Sequence, residues 1–403
     1  MARITEHAQR IKIMIHFCYD TMSDPELGYP NLAKLGLGPD ELDITWPRAI
    51  AFRLLMYLGY ARAQWTSGLV DSAPRGSWYP VAIAWHDFDC DYFELMKPNV
   101  INKLKSGHIR VLFYYHEGDN PERIRDRLDQ CCVKHGLPLD CYLFLSANTA
   151  ADHIDRFGYF PDHEHFLLYV NRRQGYTPVT DLPRSYDFTA LNRIHKWWRG
   201  SIMSDLYSDG LLTNSQWSYN TTVTDGDRPE DNPISIHSVP GWPAKLNNFL
   251  REGPYYCDGP NDTAHNDHRL INTDLYLNSY CHIVIETLFD VDQSGGAFLT
   301  EKTYKCLKFG QPFVIAGAVG SLQALRDAGY RVFDGVIDNH YDTIVDNTQR
   351  WFAVKDAIAK IKSQHMHSWY LKCMPDLIHN QELYIQRTKP TLERLIDRLS
   401  YKP

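Results

Sequence analysis

Two successive blocks of alternating strand-type and helix-type segments constrain the fold of this chain more than any other feature of its sequence. The first block lies before residue 171 and the second after residue 185. Near-continuous apolar strands separated by helices are typical of parallel sheets that helices cover on both faces. At 403 residues the chain is also longer than one hydrophobic core usually supports. The sequence therefore predicts an α/β protein with two facing, Rossmann-like, doubly wound domains.

Strand-type segments recur between helix-type segments throughout the first half of the chain. Apolar, β-rich runs predict strands RIKIMIHF (10–17), PVAIAWHDF (80–88), HIRVLFYYHEG (108–118), CYLFLSAN (141–148) and HFLLYV (165–170). Runs with helical periodicity predict helices at 45–64, 92–107 and 120–136. These segments together predict an N-terminal Rossmann-like domain over residues 1–175.

The same alternation resumes after a segment rich in Pro and Arg at 171–185. It predicts strands at 186–192, 216–220, 282–287, 312–317 and 331–333, and helices at 193–210, 321–329 and 347–364. Residues 221–280 are rich in Gly, Pro, Asn and Asp, which indicates a long loop region with a little helix. We therefore expect a C-terminal Rossmann-like domain over 186–365 and a helical tail, 366–403, that packs back across both domains.

The composition narrows the classes of protein to consider. A net charge of −7 provides no global basic field of the kind that drives non-specific binding to nucleic acid. No run reaches the roughly 18 apolar residues needed to span a bilayer, and the N-terminus lacks the apolar core of a signal peptide. Nine cysteines without paired short spacings are typical of reduced thiols. We expect a cytoplasmic protein, in the host cytoplasm if a phage encodes it, with no membrane span and no obligate protein partner.

The stretch SGGAFLTEKTYKCLKFGQPFVIAG (294–317) places a lysine where a helix disfavours one. Thr300 is a suitable N-cap for a helix that begins at Glu301, so Lys302 falls in the first turn. A cation there opposes the helix macrodipole by about 0.3–1 kcal/mol, and a nearby anion would relieve the repulsion. Such a helix start is a ready site for a phosphate group. The alternative is a solvated Lys302 that Glu301 balances.

A second group of cations occupies the first turns of the predicted helix at 193–210. Arg193, Lys196 and Arg199 are three positions apart in each step, so they share one broad face of a helix. Cations at this end again oppose the helix dipole, and a polyanion would again stabilise them. The alternative is a basic face exposed to solvent with a tryptophan packed inward.

Two acidic residues follow the predicted strand at 108–118 in the sequence FYYHEGDNP. Glu117 lies at the carboxyl end of that strand, where doubly wound sheets bind their ligands. A carboxylate in that position is suited to act as a general base on an acceptor hydroxyl. Asp119 is the second candidate, although Asp119 or Asn120 can instead cap the helix that follows.

Metal binding is a competing interpretation of other acidic and histidine-containing stretches. Asp87, Asp89 and Asp91 in WHDFDCD follow an apolar strand, and an Asp-X-Asp pattern of this kind can chelate Mn²⁺ or Mg²⁺ on a nucleotide diphosphate. HEH (163–165) and HNDH (265–268) suggest zinc, but no cysteine or carboxylate falls at zinc-ligand spacing with them. Surface histidines are favoured at both places. Because the cations of the second domain make a metal redundant, we predict no metal site.

The second half of the chain resembles the donor-binding signature of the Lewis-antigen type fucosyltransferases. That signature has a strand ending in Phe-Glu-Asn, then Tyr-Val-Thr-Glu-Lys, a short helix and a Pro-Val-Val strand ending in Gly. IVIET followed by FLTEKTYKCLKFGQPFVIAG has the same order of elements, with Phe298 in place of the tyrosine and Thr287 in place of the asparagine. FTALNRIHKWWRGSIMSDL is also similar to the opening strand and helix of the family's second domain.

The resemblance implies GT-B architecture, an inverting and metal-independent reaction, and no cofactor. It further implies a nucleoside diphosphate sugar as the donor, bound by the C-terminal domain, with the acceptor at the N-terminal domain. Glu117, before Pro121, is similar to the family's base, a glutamate shortly before a proline.

The resemblance also implies roles for residues of the second domain. Lys302 would contact the donor phosphate and Glu301 the ribose, while Arg193 or Arg199 would provide the second phosphate cation. The remaining candidates for donor binding are Glu286, Phe298 and Thr300.

These observations lead to the hypothesis of a glycosyltransferase that transfers a hexosyl or pentosyl group to a hydroxyl acceptor. The acceptor would be a glycan or, as in phage-encoded enzymes, a hydroxymethylated DNA base. One alternative is a non-catalytic nucleotide- or sugar-binding protein, since fold does not settle function. Another is a metal-dependent transferase that uses Asp87 and Asp89.

Overall fold

A computed structural model describes residues 14–19, 64–83, 90–170, 177–222, 228–257 and 271–400 of the chain. Within them, the strands form two separate sheets, one of six strands in the first half and one of four strands in the second half. Every strand pairing in both sheets is parallel. The predicted α/β class with two doubly wound domains is confirmed.

The first sheet has the spatial order β2-β1-β3-β4-β5-β6. Its strands are β1 (Met14–Tyr19), β2 (Gln64–Leu69), β3 (Ser77–Ala82), β4 (Ile109–Tyr115), β5 (Tyr142–Ser146) and β6 (Phe157–Tyr159). The described helices of this half are α1 (Pro98–Lys105), α2 (Pro121–His135) and α3 (Asp162–Val170). Helix α2 has strong local signals at both ends: the Asn120 side chain accepts from the Glu122 amide, Pro121 starts the helix, and left-handed Gly136 ends it.

The second sheet has the spatial order β10-β9-β7-β8. Its strands are β7 (Tyr186–Asn192), β8 (Gln216–Tyr219), β9 (Ser279–Ile285) and β10 (Phe313–Ala316). The helices around it are α4 (Trp197–Ser208), α5 (Trp242–Glu252), α6 (Thr273–Leu277), α7 (Val291–Ser294), α8 (Glu301–Phe309), α9 (Ser321–Asp327) and α10 (Asn347–Lys362). Every residue of β9 is buried, as expected for a central strand covered on both faces.

The strand order identifies where each sheet can bind a ligand. In the second sheet the chain goes from β7 to β8 on one side and then to β9 on the other, so the connections diverge between β7 and β9. Ligands of doubly wound sheets bind at the carboxyl ends of the strands, beside such a switch point. Asn192 ends β7 and Glu286 follows β9 directly, so both residues lie at this edge.

Two helices complete the chain and contact different sheets. Helix α11 (Met366–Gln386) packs on α8 and β9, while α12 (Thr388–Ser400) packs on the first sheet. Leu392, Leu395 and Leu399 of α12 share one apolar cluster with Phe17 and Trp78. Trp78 Nε1 also donates a hydrogen bond to the Leu399 carbonyl at 2.8 Å. The last helix therefore belongs to the core of the first half of the protein.

Several sequence-based assignments of elements differ from the structure. The predicted strand at 165–170 lies within helix α3, and described residues 331–333 form no strand. Strands β2 and β6 were not predicted, while Gln64, the last residue of the helix predicted at 45–64, begins β2. The rest of that helix, together with 84–89 at the end of the strand predicted at 80–88, lies outside the described residues.

The other predicted strands of both halves are confirmed with small shifts of their ends, and residues 10–13 of the strand predicted at 10–17 lie outside the described residues. None of the helices in the described part of the chain is both long enough and apolar enough to cross a membrane.

Candidate functional site

A buried acid joins the carboxyl end of β9 to the start of α8. Glu286 follows β9 and has no exposed surface. Its Oε1 accepts hydrogen bonds from the Thr300 amide at 3.0 Å and from the Thr303 hydroxyl at 2.6 Å. Its Oε2 accepts from the Thr300 hydroxyl at 2.5 Å. Glu286 therefore fixes the first turn of α8 at the edge of the sheet where ligands are expected.

The start of α8 has the local structure that the sequence predicts. The helix begins at Glu301, and the Thr300 side chain caps it by accepting from the Lys302 amide at 3.4 Å. Lys302 Nζ donates to the Thr287 hydroxyl at 3.2 Å and to the Thr300 hydroxyl at 3.1 Å. It also lies 3.5 Å from a Glu301 oxygen, and 22% of the lysine side chain is exposed. The ammonium group is thus held at the helix start, where it faces solvent.

Glu301 contacts a histidine from α3 as well as its neighbouring lysine. Its Oε2 lies 3.5 Å from His163 Nδ1, and 16% of each side chain is exposed. Burial by itself would raise the pKa of Glu301, but the charge of Lys302, followed by the hydrogen bond from His163, lowers that pKa well below its usual value. Glu301 is therefore a carboxylate that Lys302 and His163 both contact.

His163 connects this group to the turn after β4. Its Nε2 lies 3.0 Å from the His116 carbonyl oxygen, and the two imidazole centroids are 6.4 Å apart. The His116 ring in turn lies 3.5 Å from Glu117, measured from Nε2 to Oε1, with 17% of the Glu117 side chain exposed. The predicted base and the predicted donor-binding helix start therefore belong to one continuous chain of contacts.

The second candidate base, Asp119, is engaged within its own half of the protein. Its Oδ2 accepts a short hydrogen bond from the Tyr115 hydroxyl. Burial, followed by the charge and hydrogen bond of Asp119, raises the pKa of Tyr115 far above its usual range, so this hydroxyl remains a donor. Asn120, and not Asp119, caps α2. These contacts leave Glu117 as the acid better placed for proton transfer.

A loop of the second half contacts the first sheet directly through its backbone. Asn148 and Phe298 form an isolated antiparallel bridge. Next to it, the Thr149 amide donates to the Ala297 carbonyl at 3.0 Å, and the Ala297 amide donates to the Thr149 hydroxyl at 3.0 Å. The Asn148 amide group also donates to the carbonyls of Gly118 and Ser294. The two sheets thus face each other across the turns that follow β4, β5 and β9.

Glycines allow this close approach between the two halves. A Cβ at Gly118 would lie 2.0 Å from Cγ of Phe298, and a Cβ at Gly296 would lie 2.9 Å from the Ala150 amide nitrogen. Phe298 is 1% exposed and contacts the His163 ring edge to face at a centroid distance of 5.5 Å. The structure therefore places Phe298, Gly118 and Gly296 at the contact between the two halves.

The carboxyl ends of β7 and β9 border a crevice at the switch point of the second sheet. The residues described above lie on the β9 side, and those that follow β7 lie on the other side. Asn192 is 2% exposed, and neither polar atom of its side chain has a hydrogen-bond partner among the described residues. The Arg193 guanidinium lies over the Tyr256 ring, 5.8 Å from its centroid. An unpartnered buried amide next to a cation is an arrangement that favours a polar or anionic ligand.

Helix α4 begins later than predicted, and this changes the role of its cations. It starts at Trp197 with Lys196 at the N-cap, so Arg193 precedes the helix, and the expected shared helical face is wrong. Arg199 is 4% exposed and donates to the carbonyls of Glu286 at 3.1 Å and Ile194 at 3.3 Å. Arg199 therefore supports the backbone behind the crevice, while Arg193 remains beside Asn192.

Histidine 195 is a buried neighbour of these cations. Its Nδ1 lies 3.0 Å from the Tyr219 hydroxyl. Burial first, and then the charges of Arg199 and Lys196, lower the pKa of His195 to about 4. The ring is thus neutral at physiological pH.

The metal hypotheses have little to support them in the described parts of the structure. No group of three or more His, Cys, Asp or Glu side chains there could hold a metal ion. Asp87, Asp89 and the HNDH stretch at 265–268 lie outside the described residues. The interpretation of 163–165 as surface histidines is wrong, because His165 is 2% exposed and His163 is largely buried against Glu301.

Comparisons with known proteins include a distant structural likeness. No protein-family model and no curated protein matches the chain. Among solved structures, the chain is similar to an α,α-trehalose-phosphate synthase (UDP-forming) from Burkholderia vietnamiensis, with a TM-score of 0.35 and 12% sequence identity. The match covers 88% of this chain and 80% of that chain. We assign no residue role from so distant a likeness.

The candidate site contains residues that sequence reasoning did not select. His116, His163, Asn148 and Asn192 all lie at the carboxyl ends of strands or in the contacts between the two halves. The signal for Asn192 was its position at the end of the first strand of the second domain. His163 had no local signal, because its partners come from distant parts of the sequence.

Proposed function

We propose that this protein is a GT-B glycosyltransferase that moves a sugar from a nucleoside diphosphate sugar to a hydroxyl acceptor. The observation that supports this most strongly is the chain of contacts from Glu117 through His116 and His163 to Glu301 and Lys302. It brings a candidate base and a cationic helix start together at the carboxyl ends of β4 and β9. These are the places where acceptor and donor would have to meet.

In the proposed reaction the two halves of the protein have different tasks. Glu117 removes the proton from the acceptor hydroxyl, whose oxygen attacks the anomeric carbon as the bond to the diphosphate breaks. Attack on the face opposite the leaving group inverts the anomeric centre. No metal or cofactor takes part in this scheme.

The leaving diphosphate would be stabilised by positive charge and by backbone donors. Lys302 and the first amides of α8 would contact one phosphate, and Arg193 the other, because charge that develops in the transition state is stabilised by preorganised donors. Glu301 would accept hydrogen bonds from the ribose hydroxyls. Arg199 and Glu286 would hold the backbone of the crevice.

Other candidate residues would act on the donor from the edges of the site. Phe298 would border the nucleotide from the contact between the two halves, and Thr300 would orient Lys302. Asn192 has two unpartnered polar atoms and would bind the donor next to Arg193.

The decisive test is donor binding by wild-type protein and by two lysine variants. We expect one nucleotide sugar from a panel to raise the melting temperature, since a ligand at about 100 times its Kd adds about 2.7 kcal/mol. Lys302→Ala should weaken that binding at least about tenfold, the effect of losing one charge-assisted contact. Lys360→Ala is the matched control, because Lys360 is 55% exposed on α10 and pairs with the surface acids Asp338 and Asp356. A panel without any shift would overturn the proposal.

The role of Glu117 separates an enzyme from a binding protein. Glu117→Gln should keep the donor-induced thermal shift while turnover and slow donor hydrolysis are lost. If hydrolysis persisted in this variant, Glu117 would not be the base. Activity abolished by a chelator would instead favour a metal-dependent reaction through Asp87 and Asp89.

For the acceptor, we propose a glycan, with a hydroxymethylated DNA base as the second candidate. The net charge of −7 disfavours extended contact with the phosphates of DNA. Binding to duplex DNA that weakens steeply with salt would favour the second candidate. We also propose that the reaction takes place in the cytoplasm.

A further inference from the structure

The His163 ring lies between two hydrogen-bond acceptors from different parts of the chain. On one side its Nε2 is 3.0 Å from the His116 carbonyl oxygen, which can only accept. On the other side its Nδ1 is 3.5 Å from a carboxylate oxygen of Glu301. A neutral imidazole has one N–H group and can satisfy one of these acceptors, whereas an imidazolium satisfies both.

The two partners of His163 belong to the two halves of the proposed reaction centre. Glu301 starts α8 and is the proposed contact for the donor ribose, while His116 directly precedes Glu117, the proposed base. The ring itself is held by edge-to-face contact with Phe298, which packs against Gly118 of the same turn. Rotation of the His163 side chain would therefore disturb both partners.

We propose that His163 is a positioning residue that carries a proton and holds Glu301 and the His116–Glu117 turn in place at the same time. The inference rests on the proposed function, because it assigns a role within that same site. His163 does not touch the reacting atoms in this proposal. It aligns the carboxylate that receives the donor with the carboxylate that deprotonates the acceptor.

The charges around the ring favour its protonated form. Glu301 faces it from α8, Glu117 and His116 from the turn after β4, and Asp162 from its own helix. Burial alone would lower the pKa of His163, but the hydrogen bond and charge of Glu301, aided by Asp162 and Glu117, raise it above 6.5. The bridge is therefore complete below pH 6.5 and is lost as pH rises through the raised pKa. Donor affinity should fall over that same alkaline range.

The test compares donor Kd across pH in wild-type protein, His163→Gln and His153→Gln. His153 is an exposed histidine of the first half and serves as the matched control. We expect the wild type and the control to bind donor about tenfold more weakly once the ring is neutral, the loss expected for one charge-assisted hydrogen bond. His163→Gln should bind weakly throughout, without that pH dependence. The wild-type pH profile in His163→Gln would overturn the inference.

A second measurement needs neither the donor nor a folded His163 variant. In ligand-free wild-type protein with ¹³C-labelled histidines, one ring should titrate above pH 6.5, and Glu301→Gln should move that titration down. If no ring titrates above 6.5, or if Glu301→Gln changes none, the inference is wrong. If no nucleotide sugar binds but this titration is seen, the proposed function fails while the protonated bridge stands.

Discussion

At the scale of single residues, the Glu286 carboxylate determines how the candidate donor site is built. It is fully buried, and both of its oxygens accept hydrogen bonds from α8 or its N-cap. A buried carboxylate is costly unless such donors satisfy it. The partly exposed groups that would meet the donor, Glu301 and Lys302, therefore depend on an acid that solvent does not reach.

We expect Glu286→Ala to lower the free energy of unfolding by about 3 kcal/mol, because three donors lose a charged acceptor. Glu286→Gln should cost less, since its amide oxygen can still accept. Urea unfolding measures both. Glu252→Ala is the control, because Glu252 is exposed at the end of α5 and its replacement should change stability by less than about 0.5 kcal/mol. An equal loss in Glu252→Ala and Glu286→Ala would contradict the role of the buried acid.

Residue types alone allowed part of the site to be predicted. Thr300, Glu301 and Lys302 form a local N-cap motif, so sequence was sufficient to place the helix start correctly. His163 was misread as a surface residue because its partners, Glu301 and the His116 carbonyl, come from other segments. Interactions between distant segments leave no periodic signal in a single sequence.

At the scale of elements, the segment at 294–298 and the turn after β4 form a close contact between the two halves. Gly118 lies under the Phe298 ring, and Asn148 ties both segments by hydrogen bonds to the carbonyls of Gly118 and Ser294. Each of these hydrogen bonds has a backbone carbonyl on one side, so the contact depends on a close approach of the two segments.

Gly118→Ala should therefore destabilise the contact between the two halves. The added methyl group would lie 2.0 Å from Cγ of Phe298, and overpacking of this kind costs about 1–3 kcal/mol. Hydrogen exchange at the amides of Asn120 and Thr149, which donate across the contact, measures the effect. Gly68→Ala is the control, because nothing lies within 4 Å of a Cβ there. Unchanged protection in Gly118→Ala would contradict the close packing of Phe298 on Gly118.

The elements that sequence misassigned are short or lie between the two halves. HFLLYV at 165–170 is apolar like a strand, yet it forms part of α3, and Leu167 is buried in the core of the second half. Periodicity cannot separate a short buried helix from a buried strand. Strand β6 has only three residues, too few for any pattern to be recognised.

At the scale of the whole molecule, the chain crosses from the first half to the second and returns at its end. Helix α12 follows the entire second half, yet Leu395 and Leu399 are buried with Phe17 and Trp78 of the first sheet. Arg398 also contacts Asp152 and donates to the Phe157 carbonyl at 3.1 Å. The two sheets are therefore linked by the chain itself twice, once before β7 and once through α11.

This topology predicts that damage to the last helix weakens the first half of the protein and leaves the second half protected. Leu395 is 2% exposed, and a buried Leu→Ala replacement costs about 2–5 kcal/mol. In Leu395→Ala, amide exchange should accelerate in β1, β3 and β4, whereas β9 and β10 should keep their protection, because regions of a protein open with separate free energies. Asp397→Ala changes an exposed residue of the same helix and should leave both sheets unaffected. Equal acceleration in the two sheets of Leu395→Ala would instead mean that they unfold as one cooperative unit.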